Sequence, residues 1–177
     1  MLNSLITSKT RTRLLLKFFL NSRNKSYLRN LAQEFGESSN SIRVELNRLE
    51  KAGLLVSETQ SNRKYFSANT GHPLFNEIHN ILIKTIGIDQ LIERVTSQIG
   101  DLEAAYITGD FARGIDSQII DLVLVGDQLD HDYINQLVHR AETLVGRKVR
   151  HLVLTANEMS SYFADKPALL IWKMDEA

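Results

Sequence analysis

The chain has 177 residues, 43% hydrophobic and 24% charged, with no cysteine. That is enough apolar material for a buried core, and it excludes wholesale disorder, a disulfide framework and thiolate metal sites. The formal net charge of zero hides a division: residues 1–71 hold twelve Lys and Arg against five Asp and Glu, and residues 72–177 hold nine against sixteen. Such a split suggests two units with different partners, the basic one suited to a polyanion.

Residues 10–20 read as a helix with Leu15, Phe18 and Phe19 on one face. The apolar run here, Leu14-Leu15-Leu16 and Phe18-Phe19-Leu20 around Lys17, is too short to span a bilayer and lacks a signal-peptide cleavage site. No membrane association is expected, and a cytoplasmic location is, in keeping with the absence of cysteine. After a polar break at residues 21–25, Ser26 is expected to cap a second helix over residues 27–35, with Leu28, Leu31 and Phe35 inside and Gly36 at its end. A tight turn leads to a third helix with Ser38 or Ser39 as its N-cap. Ile42, Leu46 and Leu49 recur there at i, i+4 and i+7 as a buried stripe, and Gly53 ends it. Residues 54–58 and 63–67 flank the polar turn Gln60-Ser61-Asn62 and read as a β-hairpin. Helix, helix, tight turn, helix, hairpin is the order of a winged helix-turn-helix.

The break Asn69-Thr70-Gly71-His72-Pro73 opens a linker helix over residues 73–85, and Gly87 interrupts it. Leu74, Ile78, Ile81 and Leu82 form a stripe along it, which serves equally well as a homodimer seam or as packing on its own domain. A second amphipathic helix is expected over residues 89–99, with Leu91, Ile92, Val95 and Ile99 inside. Strands then follow over residues 102–108, 119–125 and 149–154, with helices over 130–144 and 156–163 and a tail in which Trp172 covers apolar surface. The fold class is α+β with two domains: a winged helix at 1–71, a helical linker at 72–100, and at 101–177 a small α/β domain with a short mixed sheet.

With its apolar stripe turned inward, the third helix projects Asn40, Arg43, Val44 and Asn47 outward. Asn suits adenine and Arg suits guanine, because each can make paired hydrogen bonds to a base edge in the major groove. Ser38, Ser39 and Ser41 cluster at the helix start, where hydroxyls and free amides favour phosphate. Arg63 and Lys64, beside Asn62 at the hairpin tip, suit the DNA backbone or an adjacent minor groove, and Arg11, Arg13, Lys25 and Arg29 suit phosphates. The expected partner is double-stranded DNA, bound by a homodimer as winged-helix regulators commonly do.

The runs Leu46-Asn47-Arg48-Leu49-Glu50-Lys51-Ala52-Gly53-Leu54-Leu55, Lys64-Tyr65-Phe66 and Asn69-Thr70-Gly71-His72-Pro73-Leu74-Phe75 are followed by Gly109-Asp110-Phe111-Ala112-Arg113-Gly114, by residues 121–127 and by Gly146-Arg147-Lys148-Val149. In this order they resemble a prokaryotic family in which an ArsR-like winged helix is fused to a nucleotidyltransferase-like domain. The resemblance covers nearly all of the chain. It implies a Gly-Ser turn that cradles nucleotide phosphates, two Asp at i and i+2 of the next strand that hold Mg²⁺, and a third carboxylate from a later strand.

The chain departs from that pattern. Gly-Ser is Gly109-Asp110, the first Asp position is Ile119, only Asp121 survives, and the later strand Val149-Arg150-His151-Leu152-Val153-Leu154 offers no carboxylate. Asp116 lies three residues before the motif position, poorly placed as a substitute ligand for near-octahedral Mg²⁺. Gly109, Asp110, Arg113 and Asp121 therefore stand as a vestigial nucleotide site. Arg113 is expected either to meet a phosphate or, more simply, to bridge Asp121 or Asp110. The five histidines (72, 79, 131, 139 and 151) show no ligand spacing, so no metal, cofactor or catalytic residue is assigned. The leading reading is a DNA-binding regulator whose C-terminal domain is a pseudoenzyme serving sensing, of a nucleotide or small-molecule effector, or oligomerisation. An active nucleotidyltransferase and an antitoxin-like protein-interaction adaptor are the alternatives.

Overall fold

The computed structural model describes residues 6–88, 99 and 101–174. The helix expected over residues 89–99 falls, apart from Ile99, outside the described residues. The chain divides into two compact units, Met1–Leu82 and Ile83–Ala177. The fold class is α+β, with a three-stranded and a four-stranded sheet. No described helix is long and apolar enough to cross a membrane.

In the first unit, helix α1 (Lys9–Leu15) starts at Ser8, whose hydroxyl accepts from the Arg11 amide, and runs on into a π-helical turn, Leu16–Leu20. Leu14 through Leu20 are all buried, Lys17 included, because its ammonium sits 2.9 Å from both Glu34 oxygens. Helix α2 (Leu28–Phe35) ends at Gly36, whose φ of 63° permits the left-handed turn in which the Glu37 amide closes on the Ala32 carbonyl. Helix α3 (Ser39–Lys51) and the hairpin of β2 (Leu55–Gln60) and β3 (Arg63–Ala68) complete the winged-helix order. Ser61 and Asn62 both have positive φ, so the wing turns in two residues.

Ser26 does not cap α2. It lies in β1 (Ser26–Tyr27), a two-residue strand paired antiparallel with β3, and is buried there. Its hydroxyl accepts from the Asn30 amide group instead, while Tyr27 stands at the cap position without a side-chain bond. The cause is the cross-strand pair Tyr27–Tyr65, with ring centroids 5.3 Å apart, which draws this segment onto the wing sheet.

Helix α4 (Phe75–Ile86) contains the division between the units. Its first turns pack on the π-helical turn after α1: Phe75 lies 5.6 Å from the Phe19 ring, and the Phe19 carbonyl accepts from His79 Nδ1 at 2.7 Å. Of the apolar stripe noted in the sequence, Leu82 is buried, whereas Leu74 (54%) and Ile81 (44%) are exposed.

The second unit is built on a mixed sheet in the order β6-β5-β4-β7. Strands β4 (Leu102–Thr108) and β5 (Ile119–Gly126) are antiparallel, and β5 and β6 (Lys148–Leu154) are parallel. The last strand, β7 (Leu169–Lys173), pairs antiparallel with β4 and makes a sheet edge of what the sequence suggests is only a tail. A short helix α5 (Gly109–Ala112) follows β4, and α6 (His131–Val145), capped by Asp130, buries Ile134, Leu137, Val138 and Ala141. Helix α7 (Ala156–Phe163), with a Thr155/Glu158 capping box, lays Met159, Tyr162 and Phe163 on a cluster of Ala104, Val123, Val125 and Leu154. Leu122 and Leu124 alternate with that cluster and are buried too, so β5 is covered on both faces.

Candidate nucleic-acid interface

Helix α3 presents two chemically distinct faces. Ser38 is its cap, accepting from the Ser41 amide at 3.2 Å. Ile42, Leu46 and Leu49 are buried, and Ser39, Asn40, Ser41, Arg43, Val44 and Asn47 are exposed. The buried face also holds a charge that the hydrophobic period does not reveal. Glu45, 6% exposed, accepts from Arg11 Nε at 2.9 Å, from Arg48 Nη1 at 3.1 Å and from the Ser8 hydroxyl at 3.2 Å. Burial alone would raise its pKa, but Arg11, Ser8 and Arg48 together hold the carboxyl below the usual range.

The ion pairs sort the cations of the basic unit. All five glutamates of residues 1–71 are paired: Glu34 with Lys17, Glu37 with Arg13, Glu45 with Arg11 and Arg48, Glu50 with Lys64, and Glu58 with Lys25. Arg11, Arg13 and Lys25, read from the sequence as phosphate contacts, are thus engaged inside the unit. Lys64 is as well, since it also lies over the Phe66 ring at 5.0 Å. Glu50 accepts from both Lys64 and the Ser57 hydroxyl, and these bonds, Lys64 first, lower its pKa and tie α3 to both wing strands.

Arg29, Arg43 and Arg63 have no carboxylate partner among the described residues. They line one groove of about 780 Å³ bounded by the start of α2, the outward face of α3 and the wing tip. Asn47 and Asn62 line it as well, and Arg63 stacks over the Tyr27 ring at 4.8 Å. Tyr27, Asn30 and Gln33 are groove residues that the sequence reading did not name. For Asn30 and Gln33 the signal lies in the outward positions of the second helix, whereas Tyr27 comes from β1.

In the second unit, a cleft of about 330 Å³ gathers Gly109, Arg113 and Asp121 with Arg150, His151 and Lys166. Asp110 does not line it; its carbonyl accepts from the Arg113 and Ile115 amides. Gly109 has φ 64°, and a Cβ there would run into the Asp121 carboxylate, so a larger residue needs both a strained backbone and a displaced Asp121. Arg113 does not bridge Asp121 or Asp110. Asp121 is taken by Arg150, its register partner on the parallel strand β6, whose Nε and Nη2 both lie 2.7 Å from Oδ1. Asp116 pairs with Arg147 at 2.8 Å. Burial, then the charge of His131, lowers the pKa of His151. Among the described residues no group of three His, Asp or Glu could hold a metal ion.

No protein-family model matches the chain, and no curated protein sequence matches it. Among solved structures it is similar to the adhesin competence repressor of Streptococcus pyogenes, with a TM-score of 0.38 and 17% identity over 52% of this chain and 72% of that one. It is also similar to a protein of Sulfolobus solfataricus that carries a provisional nucleotidyltransferase assignment, with a TM-score of 0.36 and 23% identity over 59% of this chain and 93% of that one. Likenesses of this strength bear on neither the function nor the site residues of this chain.

Proposed function

We propose that the chain is a sequence-specific regulator that binds double-stranded DNA through α3 and the wing. The observation that carries this reading is the groove where Arg29, Arg43 and Arg63, free of carboxylates, sit beside the outward Asn47. Asn40, Arg43 and Asn47 read base edges. Ser39 and Ser41 at the helix start and Arg63 at the wing hold phosphates. Lys64 acts through Glu50 by fixing the wing. Exposed Leu74, just before α4, and Ile81 within it support a homodimer, which would set two half-sites on the duplex.

In this reading the C-terminal unit senses or oligomerises and does not transfer a nucleotide. The Asp121–Arg150 pair supports that view, because a carboxylate already neutralised by a guanidinium is a poor ligand for Mg²⁺. The test is selection of bound duplexes from a random pool by the full chain. A recurring site, palindromic for a dimer, is the expected result. Enrichment no better than a protein-free control would overturn the reading.

A further inference from the structure

The C-terminal half of the chain is acidic, with sixteen Asp and Glu against nine Lys and Arg over residues 72–177. The lining of its cleft runs the other way: Arg113, Arg150 and Lys166 face a single carboxylate, Asp121. A cationic pocket in an acidic unit does not follow from overall charge. Arg150 already cancels Asp121. What remains is the exposed Arg113, with no carboxylate partner among the described residues, and Lys166, whose ammonium lies 3.7 Å from the centre of the Tyr162 ring. An aromatic face attracts a cation but supplies no counter-charge. The depressed pKa of His151 leaves that ring neutral near pH 7, a hydrogen-bonding group beside the two cations.

We propose that this cleft binds the phosphate group of a small ligand without a divalent metal. Arg113 offers a guanidinium fork to two phosphate oxygens, and Lys166 a point charge to a third. Asp121, held by Arg150, no longer repels the anion, so the exchange of a bare carboxylate for an ion pair converts a cation-attracting pocket into an anion-attracting one. This specifies the ligand chemistry of the sensing role proposed above. It rests on that reading for its regulatory consequence and not for binding itself.

The test titrates the full-length protein calorimetrically with inorganic phosphate and, separately, with a nucleoside 5′-monophosphate, both in EDTA. Saturable binding of either is expected. Equal affinities make phosphate itself the ligand, and tighter binding of the monophosphate adds recognition of its organic part. Arg113→Gln and Lys166→Gln should each weaken binding by about tenfold or more without moving the thermal midpoint, since both side chains are exposed. Arg29→Gln/Arg43→Gln, in the other unit, should bind as the wild type. No saturation below about 10 mM, a requirement for Mg²⁺, or unchanged affinity in both cleft variants would overturn the proposal. Duplex binding measured on the same samples reads the groove arginines separately, so a failure of the DNA reading is distinguishable.

Discussion

Arg11→Gln and Arg63→Gln remove one positive charge each from the same basic unit, and the ion pairs predict opposite consequences. Arg11 holds Glu45, whose side chain is 8% exposed, through two bonds, at 2.9 and 3.3 Å. Breaking a fully buried pair costs about 3–5 kcal/mol, but Arg11 is 37% exposed, and Arg48 and Ser8 remain on Glu45. The expected cost is therefore about 1–2 kcal/mol, read as a fall of about 5–10 °C in the midpoint of the N-terminal unit. Because the folded pKa of Glu45 is depressed from 4.5, its pairing stabilises the unit above that pH, and the contribution is lost as pH falls through the folded value. Arg11→Gln should shrink this acid-side loss, so variant and wild type converge as Glu45 protonates. Duplex affinity and its salt dependence should not change. Arg63→Gln should behave in reverse, with stability within about 0.5 kcal/mol of wild type and a salt slope shallower by about one per subunit, about two for the dimer. Denaturation at pH 7 and pH 4 and duplex titration at several salt concentrations check both. An Arg11→Gln protein that is fully stable but flattens the salt slope would refute the division of cations.

Arg43→Ala or Asn47→Ala should weaken specific duplex binding by about 1–3 kcal/mol and relax base preference, measured by competition between selected and scrambled duplexes. Gly109→Ala should destabilise the C-terminal unit by about 2–4 kcal/mol in denaturant titration, because the new Cβ meets Asp121 in a left-handed backbone conformation. A neutral effect would mean that Asp121 swings clear. Leu74→Glu with Ile81→Glu should raise the dimer dissociation constant about a hundredfold in sedimentation equilibrium without lowering the melting temperature, and an unchanged mass would remove α4 as the seam.

The winged helix was legible because its signals are local. Ile42, Leu46 and Leu49 repeat at the helical period, Gly36 marks a helix end, and residues 60–62 mark a turn. Ser26 misled, because a two-residue strand has no period, and a serine before a helix resembles a cap whatever the wing sheet does with it. Glu45 is invisible for another reason: periodicity registers apolar residues, and a buried acid appears only when Arg11 arrives from α1, 34 residues away in sequence, to join Arg48 of its own helix. The same non-locality hid the partner of Asp121. Which guanidinium reaches it depends on the parallel register of β5 and β6, and the nearer Arg113 was the natural sequence guess. Leu169–Lys173 looks like a tail in the sequence because a single run at its end lacks the flanking turns that announce a strand.

The central claim is that α3 and the wing bind duplex DNA through the arginines left without carboxylates. Its most direct test is equilibrium binding of the selected duplex to the full chain between 50 and 200 mM salt, beside the triple variant Arg29→Gln/Arg43→Gln/Arg63→Gln. Arg29 and Arg63 from both subunits of the dimer, four phosphate contacts, predict a logarithmic slope of about −3.6, an affinity loss of about 150-fold over that range, and a nearly flat response in the triple variant at unchanged thermal stability. A wild type indifferent to salt, or a triple variant that binds as tightly as the wild type, would contradict it.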